Sequence, residues 1–293
     1  RSQQFIGSVI VGFIPSDPDE PAVDRALLLD PVGGIAHLVG KHKVDEILIA
    51  IDDRRRDKGS FFPMQELLDC KLSGTHITEV VEFYEREFSR IELAEINTGW
   101  MLFRNQFRYS QSRDKTKRVF DIGISLFLLA LAWPFMILTA IAVFLETGAP
   151  ILYSQERVGF KGKTFRIYKF RSMTKDAEKD GKAVWAKQND ARVTRVGAFI
   201  RNTRLDELPQ IFNVLRGDMS FVGPRPERPE FVESLAENIP YYRMRHRVKP
   251  GITGWAQVCY PYGDGEKDAK EKLQYDLYYI KNYSVFLDFA ILA

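Results

Sequence analysis

The segment Ile122–Leu145 limits the folds open to this chain more than any other, because no residue in it carries a charge. As a helix it extends roughly 36 Å, against a bilayer core of about 30 Å. A plain transmembrane span is one reading, and two features oppose it. Pro134, directly after Trp133, falls in mid-run, where it removes a backbone hydrogen bond and bends a helix. Both flanks are basic: Arg113, Lys115, Lys117 and Arg118 precede the run, and Arg157, Lys161, Lys163 and Arg166 follow it. A span places its basic flank mainly on one side. A helix over residues 119–146 that enters the bilayer, breaks at Pro134 and returns to the same face satisfies both observations.

Before this run, residues 1–110 alternate strand and helix signals. Ser8–Ile14 is an apolar run that predicts a buried strand, Ile35–His42 a short helix, Val44–Ile51 a second strand, Phe61–Leu72 a helix and Thr75–Val81 a third strand. Such alternation points to a parallel, Rossmann-like sheet. No GxGxxG lies between a strand and a helix here, and Gly33-Gly34 is only a turn, so no working nucleotide site is expected. Ser89–Ser110 mixes Trp100, Phe103 and Phe107 with polar residues, which suits either a partner subunit or the membrane. Residues 111–118 read as a basic linker. The expected fold is therefore α/β: a partial Rossmann-like domain over 1–110, the linker, the membrane helix over 119–146, and a mostly helical α+β domain over 147–293.

The net charge of +3 on 293 residues is too small to argue for a nucleic-acid partner. Cys70 and Cys259 lie far apart and form no disulfide framework, which suits a reducing compartment. His37, His42, His76 and His246 show no ligand spacing. The chain begins in a strand-like run without a signal peptide and ends in an apolar one. It is expected to be part of a longer protein.

The chemistry concentrates in Arg201–Arg228, RNTRLDELPQIFNVLRGDMSFVGPRPER. Asp206 and Glu207 are adjacent acids, which repel each other and prefer a cation or metal nearby. Arg201, Arg204, Arg216, Arg225 and Arg228 surround them in sequence. Leu205, Leu208, Phe212 and Leu215 recur at helical spacing, predicting an amphipathic helix with the acids near its start. Thr203 and Asp206 fit a capping box, and Pro209 predicts a kink just past the acids. A solvated, charged helix start is the bland alternative. Helix start, arginines and acids together suit phosphate plus a divalent metal. Downstream, Pro224-Arg225-Pro226 fixes the backbone on both sides of one arginine, which suits phosphate or a nucleobase edge. A rigid surface loop is its alternative.

Between the membrane run and the acids, Ile151–Arg157 and Thr164–Arg171 predict a hairpin turned through Gly159 and Gly162. Alternation puts Phe165, Ile167, Lys169 and Arg171 on one face, and gives Gln155 and Arg157 a shared face. These basic heads converge on an anion or rest on anionic lipid heads. Lys175–Arg192, with Trp185, is polar and is expected to cover the site. In PYYRMRHRVK, Arg243, Arg245 and Arg247 share a face if the chain is extended. Tyr260–Lys272 is a glycine- and charge-rich loop, a candidate for facing the substrate. Tyr275–Tyr283 and the apolar Val285–Leu292 suit either an interfacial helix or core packing.

LDELPQIFNVLRGDMSFVGPRPE resembles the signature of the bacterial sugar transferases, the monotopic phosphoglycosyl (polyprenyl-phosphate sugar) transferases. The resemblance continues in ERVGFKGKTFRIYKFRSM (Glu156–Met173) and VKPGITGWAQV (Val248–Val258), and covers roughly Lys115 to the C-terminus. It implies a re-entrant helix broken at a proline. Relatives often have serine before that proline, whereas this chain has Trp133. It also implies transfer of a sugar-1-phosphate from a UDP-sugar to polyprenyl (undecaprenyl) phosphate with release of UMP, the first membrane step in building an exopolysaccharide or other glycoconjugate, with a hexose such as glucose or galactose as the sugar. Asp206 is then the nucleophile that forms a phosphosugar–aspartyl intermediate, and Glu207 helps bind Mg²⁺. Pro224, Arg225 and Pro226 hold the nucleotide, and Arg201, Arg157, Lys169 and Arg171 contact phosphate. The place of action is the cytoplasmic face of a bacterial inner membrane, among membrane lipids, with a homodimer as the expected assembly. The N-terminal region resembles the later part of the CoA-binding-like domain of larger relatives, with a regulatory or dimerising role. A Mg²⁺-dependent hydrolase and an inactive membrane scaffold are the competing classes.

Overall fold

The computed structural model describes residues 9–15, 23–50, 62–96, 111–174, 190, 192–261, 263 and 265–293, which fall in two units, Arg1–Asn97 and Thr98–Ala293. In the first unit, α1 (Ile35–His42) leads to β1 (Glu46–Ile49), α2 (Met64–Leu72), β2 (His76–Glu79) and α3 (Val80–Phe88). β1 and β2 pair in parallel, with Glu46 opposite His76 and Ile49 opposite Glu79. They flank α2 as a β–α–β crossover, close to the boundaries expected from periodicity. Ile35, Leu67 and Cys70 form its buried cluster, with Ile47, Ile49 and Ile77 packed against them. The strand expected over Ser8–Ile14 reduces, among the described residues, to one bridge between Phe13 and Leu28. Gly33 and Gly34 have φ of 92° and 85°, and the Ile35 amide that follows donates to Glu66 Oε2 at 2.7 Å. The start of α1, where a phosphate would sit in a nucleotide fold, is thus occupied by the protein's own carboxylate.

The second unit is organised by α4 (Gln111–Thr147), which runs through Pro134 and takes in residues 111–118. The expected linker is therefore helical. Its polar side chains have partners: Lys117 pairs with buried Asp288, and both guanidinium ends of Arg118 donate to carbonyls at the end of a later helix, that of Leu215 at 2.6 Å. Asp121 accepts from Ser220 Oγ at 2.9 Å and from the Phe221 amide at 3.1 Å. At the other end, Glu146 accepts from the Arg195 amide at 2.9 Å, and Val143 is buried with Phe170 and Ile200. Between these attachments one side of the helix stays against the protein, with Ser125 and Thr139 buried, while Leu126, Phe127, Leu131, Trp133, Phe135 and Leu138 are all more than half exposed. The helix is long and apolar enough to cross a membrane, with a mean hydropathy of 2.4 over its most apolar window, of which only 11% is buried.

After α4 come the antiparallel hairpin β3 (Leu152–Val158) and β4 (Thr164–Phe170), then α5 (Arg195–Asn202), a 3-10 turn (Leu205–Glu207), α6 (Gln210–Arg216) and β5 (Ser220–Val222). α7 (Pro229–Asn238), a second 3-10 segment (Tyr242–Arg247), β6 (Gly251–Thr253), α8 (Trp255–Cys259), α9 (Glu266–Asn282) and α10 (Val285–Leu292) complete it. Arg243, Arg245 and Arg247 do not share a face, because the 3-10 winding buries Arg245 and leaves the other two exposed. The tyrosine run is core: Leu273, Leu277, Tyr279 and Tyr283 are buried, and the Tyr279 hydroxyl lies 2.6 Å from Asp288 and 3.0 Å from the Val222 carbonyl. Phe286 and Phe289 of α10 are exposed.

β5 and β6 pair in parallel, Ser220 opposite Gly251 and Val222 opposite Thr253. A Cβ on Gly251 would lie 2.1 Å from the Gly223 amide nitrogen and 2.2 Å from the Thr253 carbonyl oxygen. Both obstacles are backbone, so neither yields by rotating a side chain. Gly251→Ala is expected to destabilise the protein by about 3 kcal/mol, the upper end for overpacking. Denaturant unfolding checks it.

Candidate active site around Asp206 and Glu207

The acids do not begin a helix. α5 ends at Thr203, whose hydroxyl donates to the Phe199 carbonyl at 2.9 Å, so Thr203 closes the preceding helix and forms no capping box with Asp206. Arg204 then takes a left-handed conformation, φ 59°, which reverses the chain into the 3-10 turn Leu205–Glu207. Pro209 starts α6, where its fixed φ suits a helix and its missing N–H costs nothing. Leu205 and Leu208 pack on the Val143–Phe170–Ile200 cluster. This anchoring leaves Asp206 and Glu207 only 7% and 8% exposed. Phe212, expected on the inward face, is 47% exposed.

The two carboxylates have opposite surroundings. Glu207 Oε1 accepts from Lys169 Nζ at 2.7 Å and from Arg225 at 3.1 Å, and Arg204 stands 4.0 Å away. Burial would raise its pKa, but Arg225 and Lys169 outweigh burial and hold it at about 2. Asp206 accepts no hydrogen bond from a described residue. Burial raises its pKa, Lys169 opposes that rise, the neighbouring Glu207 adds to it, and Arg201 and Arg204 oppose it again. Burial, with Arg225 nearby, presses Lys169 below the ordinary lysine value against the pull of Glu207. One acid is thus clamped between two cations, and the other is held beside them without a hydrogen-bonded partner.

Arg225 is aimed by its loop. Pro224 and Pro226 are buried, and the Pro224 carbonyl accepts from the Gly251 amide at 3.0 Å. Arg157, a predicted phosphate contact, donates to the Pro226 carbonyl at 3.1 Å and to Gln155 at 2.6 Å and so also holds the loop. Arg245 donates to the Arg225 carbonyl at 3.0 Å, to Asp276 at 2.9 Å and to the Tyr242 hydroxyl at 2.6 Å. Burial pushes Asp276 up to about 6 despite its guanidinium partner. Arg171 is buried, and among the described residues its two terminal guanidinium nitrogens have no hydrogen-bond partner. The structure thus brings Arg201, Lys169 and Arg225 to the acids. Trp185 and most of the 175–192 loop lie outside the described residues, as do Trp100, Phe103, Phe107, Tyr262 and Asp264.

Three positioning residues escaped the sequence reading. Arg245 and Asp276 looked like members of a basic run and a tyrosine-rich helix. Asn213, fully buried, donates to the Arg166 carbonyl at 2.7 Å and accepts from the Tyr168 amide at 3.2 Å, docking α6 on the hairpin. A polar residue among the apolar positions of IFNVL was its signal. Asp276→Asn is expected to leave the Arg245 charge uncompensated in the interior, at a cost of about 3–5 kcal/mol. Equilibrium unfolding of the variant measures this, and wild-type stability would contradict it.

Asp206 and Glu207 supply two hard oxygen donors. That suits Mg²⁺, which commonly takes one or two carboxylates and completes its shell with substrate phosphate and water. Among the described residues no group of three His, Cys, Asp or Glu is placed to hold a metal, so phosphate oxygens would have to complete such a site.

The model of the family described as "Bacterial sugar transferase" matches residues 112–293. An Aeromonas hydrophila UDP-N-acetylgalactosamine-undecaprenyl-phosphate N-acetylgalactosaminephosphotransferase is 49% identical over 60% of this chain and 41% of its own. An Escherichia coli UDP-glucose:undecaprenyl-phosphate glucose-1-phosphate transferase is 46% identical over 99% of this chain and 62% of its own. A Salmonella typhimurium undecaprenyl-phosphate galactose phosphotransferase is 34% identical over 100% of this chain and 62% of its own. The chain thus spans between about two fifths and three fifths of the length of these relatives.

Proposed function

This chain belongs to the bacterial sugar transferases, and from that premise we propose that it transfers a hexose-1-phosphate from a UDP-sugar to polyprenyl phosphate, releasing UMP. The observation that carries the reading is the unequal acid pair: Glu207 clamped by Lys169 and Arg225, and Asp206 beside it without a hydrogen-bonded partner. The relatives' names support the reaction class, and they differ in the sugar: glucose, galactose and N-acetylgalactosamine.

Ionised Asp206 attacks the sugar-bearing phosphorus. The bond from that phosphorus to the bridging oxygen of the diphosphate breaks, and UMP leaves with its electron pair. An oxygen of the lipid phosphate then attacks the same phosphorus and Asp206 departs, regenerated. Lys169, Arg201 and Arg204 keep Asp206 ionised against its burial. Arg225, aimed by Arg157 and Arg245, receives the nucleotide's phosphates, with Pro224 and Pro226 fixing its backbone. Arg171, whose terminal nitrogens have no partner among the described residues, is a ready donor to an anion. Mg²⁺ held by Glu207 with Asp206 would offset charge on the diphosphate.

The membrane helix is proposed to dip into the bilayer and return. Lys117 and Asp121 near one end and Val143 and Glu146 near the other are attached to the same unit, with exposed apolar residues between them. A crossing helix would put one of these attachments on the far side. The site then faces the cytoplasmic side of a bacterial inner membrane. A homodimer, with the N-terminal unit regulatory or dimerising, completes the proposal. The test is UMP release over a panel of UDP-sugars with polyprenyl phosphate. Lipid-linked sugar phosphate is the expected product, and free sugar phosphate alone would instead mark a hydrolase.

A further inference from the structure

Asp121 is the last charged residue before the uncharged run, yet its bonds go to the interior of the protein. It is buried, and one carboxylate oxygen accepts from both Ser220 Oγ at 2.9 Å and the Phe221 amide at 3.1 Å. The carbonyl of the next residue, Val222, lies 3.0 Å from the Tyr279 hydroxyl. Three consecutive residues of β5 are thus tied to side chains outside their sheet, two of them to the root of the membrane helix. Arg225 follows three residues later.

We propose that Asp121 is a positioning residue for the soluble nucleotide donor: by fixing β5 it sets where the Arg225 guanidinium stands. The proposal rests on the function inferred above. Three observations carry it. The link from β5 to Arg225 is stiff. The Gly223 amide donates to the Thr253 carbonyl at 2.9 Å, and a Cβ on Gly223 would lie 2.3 Å from the Lys249 carbonyl oxygen. Pro224 and Pro226 restrict the backbone on either side of the arginine. A displaced β5 therefore carries Arg225 with it. Next, α4 does not need Asp121 for its own seat, because the same end is held by Lys117 on Asp288 and by Arg118 on the Val214 and Leu215 carbonyls. Finally, Arg225 meets Glu207 at 3.1 Å, near the long limit of such a bond, so a displacement of about 1 Å unlatches it. Both bonds to Asp121 require only an acceptor oxygen, which a carboxamide also supplies.

The experiment is steady-state UMP release by the full chain in nanodiscs, with donor and lipid acceptor varied separately. Asp121→Ala leaves the Ser220 and Phe221 donors buried without an acceptor. It is expected to raise the KM for the UDP-sugar about tenfold and to leave the KM for polyprenyl phosphate within about twofold, although the residue sits on the membrane helix. Asp121→Asn keeps the acceptor and should restore a donor KM close to that of wild type. Ser220→Ala removes one donor only, so it should raise the donor KM by less than Asp121→Ala; it also serves as the test if Asp121→Ala does not fold. Amide hydrogen exchange over residues 219–228 should speed up in both alanine variants and not in Asp121→Asn. A loss that falls on the acceptor KM, an Asn variant as impaired as Ala, or unchanged exchange over 219–228 would overturn the proposal. If the wild type releases no UMP with any donor, the transferase reading fails. The exchange pattern, with direct titration of UMP into wild type and variants, still decides whether Asp121 sets the arginine loop.

Discussion

Asp206→Asn is expected to lower steady-state UMP release by at least about 10³-fold and to abolish the covalent phosphosugar adduct, since the carboxamide cannot serve as the nucleophile. The substitution is isosteric. Because Asp206 accepts no hydrogen bond from a described residue, it breaks none. It also removes a negative charge beside Glu207, which relieves repulsion. Stability should therefore stay level or rise slightly, and co-sedimentation with membranes should be unchanged. Single-turnover UMP release and intact-protein mass spectrometry check the prediction. An Asn variant turning over within tenfold of wild type would remove Asp206 from the nucleophile's role. The raised pKa of Asp206 has a further consequence: activity in wild type should begin to fall with decreasing pH above the ordinary aspartate value of 3.8.

Glu207→Gln is expected to cost both stability and rate. Glu207 titrates at about 2 in the folded protein against 4.5 as a free side chain. A depressed carboxylate stabilises the fold fully above the unfolded value and loses that contribution as pH falls from 4.5 toward 2. The shift corresponds to roughly 3 kcal/mol for a group this buried. In metal-free protein the variant should unfold more easily at neutral pH, and its stability should depend less on pH across that window. Activity should fall about 10²-fold, because Lys169 loses its counter-charge and Arg225 its latch. The Mg²⁺ concentration for half-maximal rate should rise. Denaturant unfolding at a series of pH values and a Mg²⁺ titration of UMP release separate the two effects. An unaltered Mg²⁺ response would assign Glu207 to positioning alone.

Several elements could be read from residue order because their signals are local. The α1, β1, α2 and β2 segments fall within a few residues of their expected limits, since hydrophobic period and turn residues act over one or two turns. The uncharged run was legible as an apolar helix, but the break expected at Pro134 does not interrupt it: one helix runs from Gln111 to Thr147. Asp206, Glu207 and Arg225 stood out because charged residues were concentrated in one motif. The 3-10 turn was not legible. Leu205, Leu208 and Phe212 recur at helical spacing, but Arg204 adopts φ 59° and Pro209 restarts the helix, which splits the pattern. Residues 111–118 read as a linker because their polarity says nothing of a partner; for Lys117 that partner is Asp288, at the far end of the chain.

Residue order by itself determined the membrane-seeking helix, the acid pair, and the Pro-Arg-Pro loop that presents a guanidinium, all properties of side chains within one short window. Tertiary structure alone decided which acid is clamped and which is unbonded, that Arg245 and Asp276 aim the loop, and that Phe212 is exposed. Each of those outcomes is set by a partner tens of residues away. A buried charge or an exposed ring is defined by what lies across the gap, and no periodicity along the chain encodes the gap.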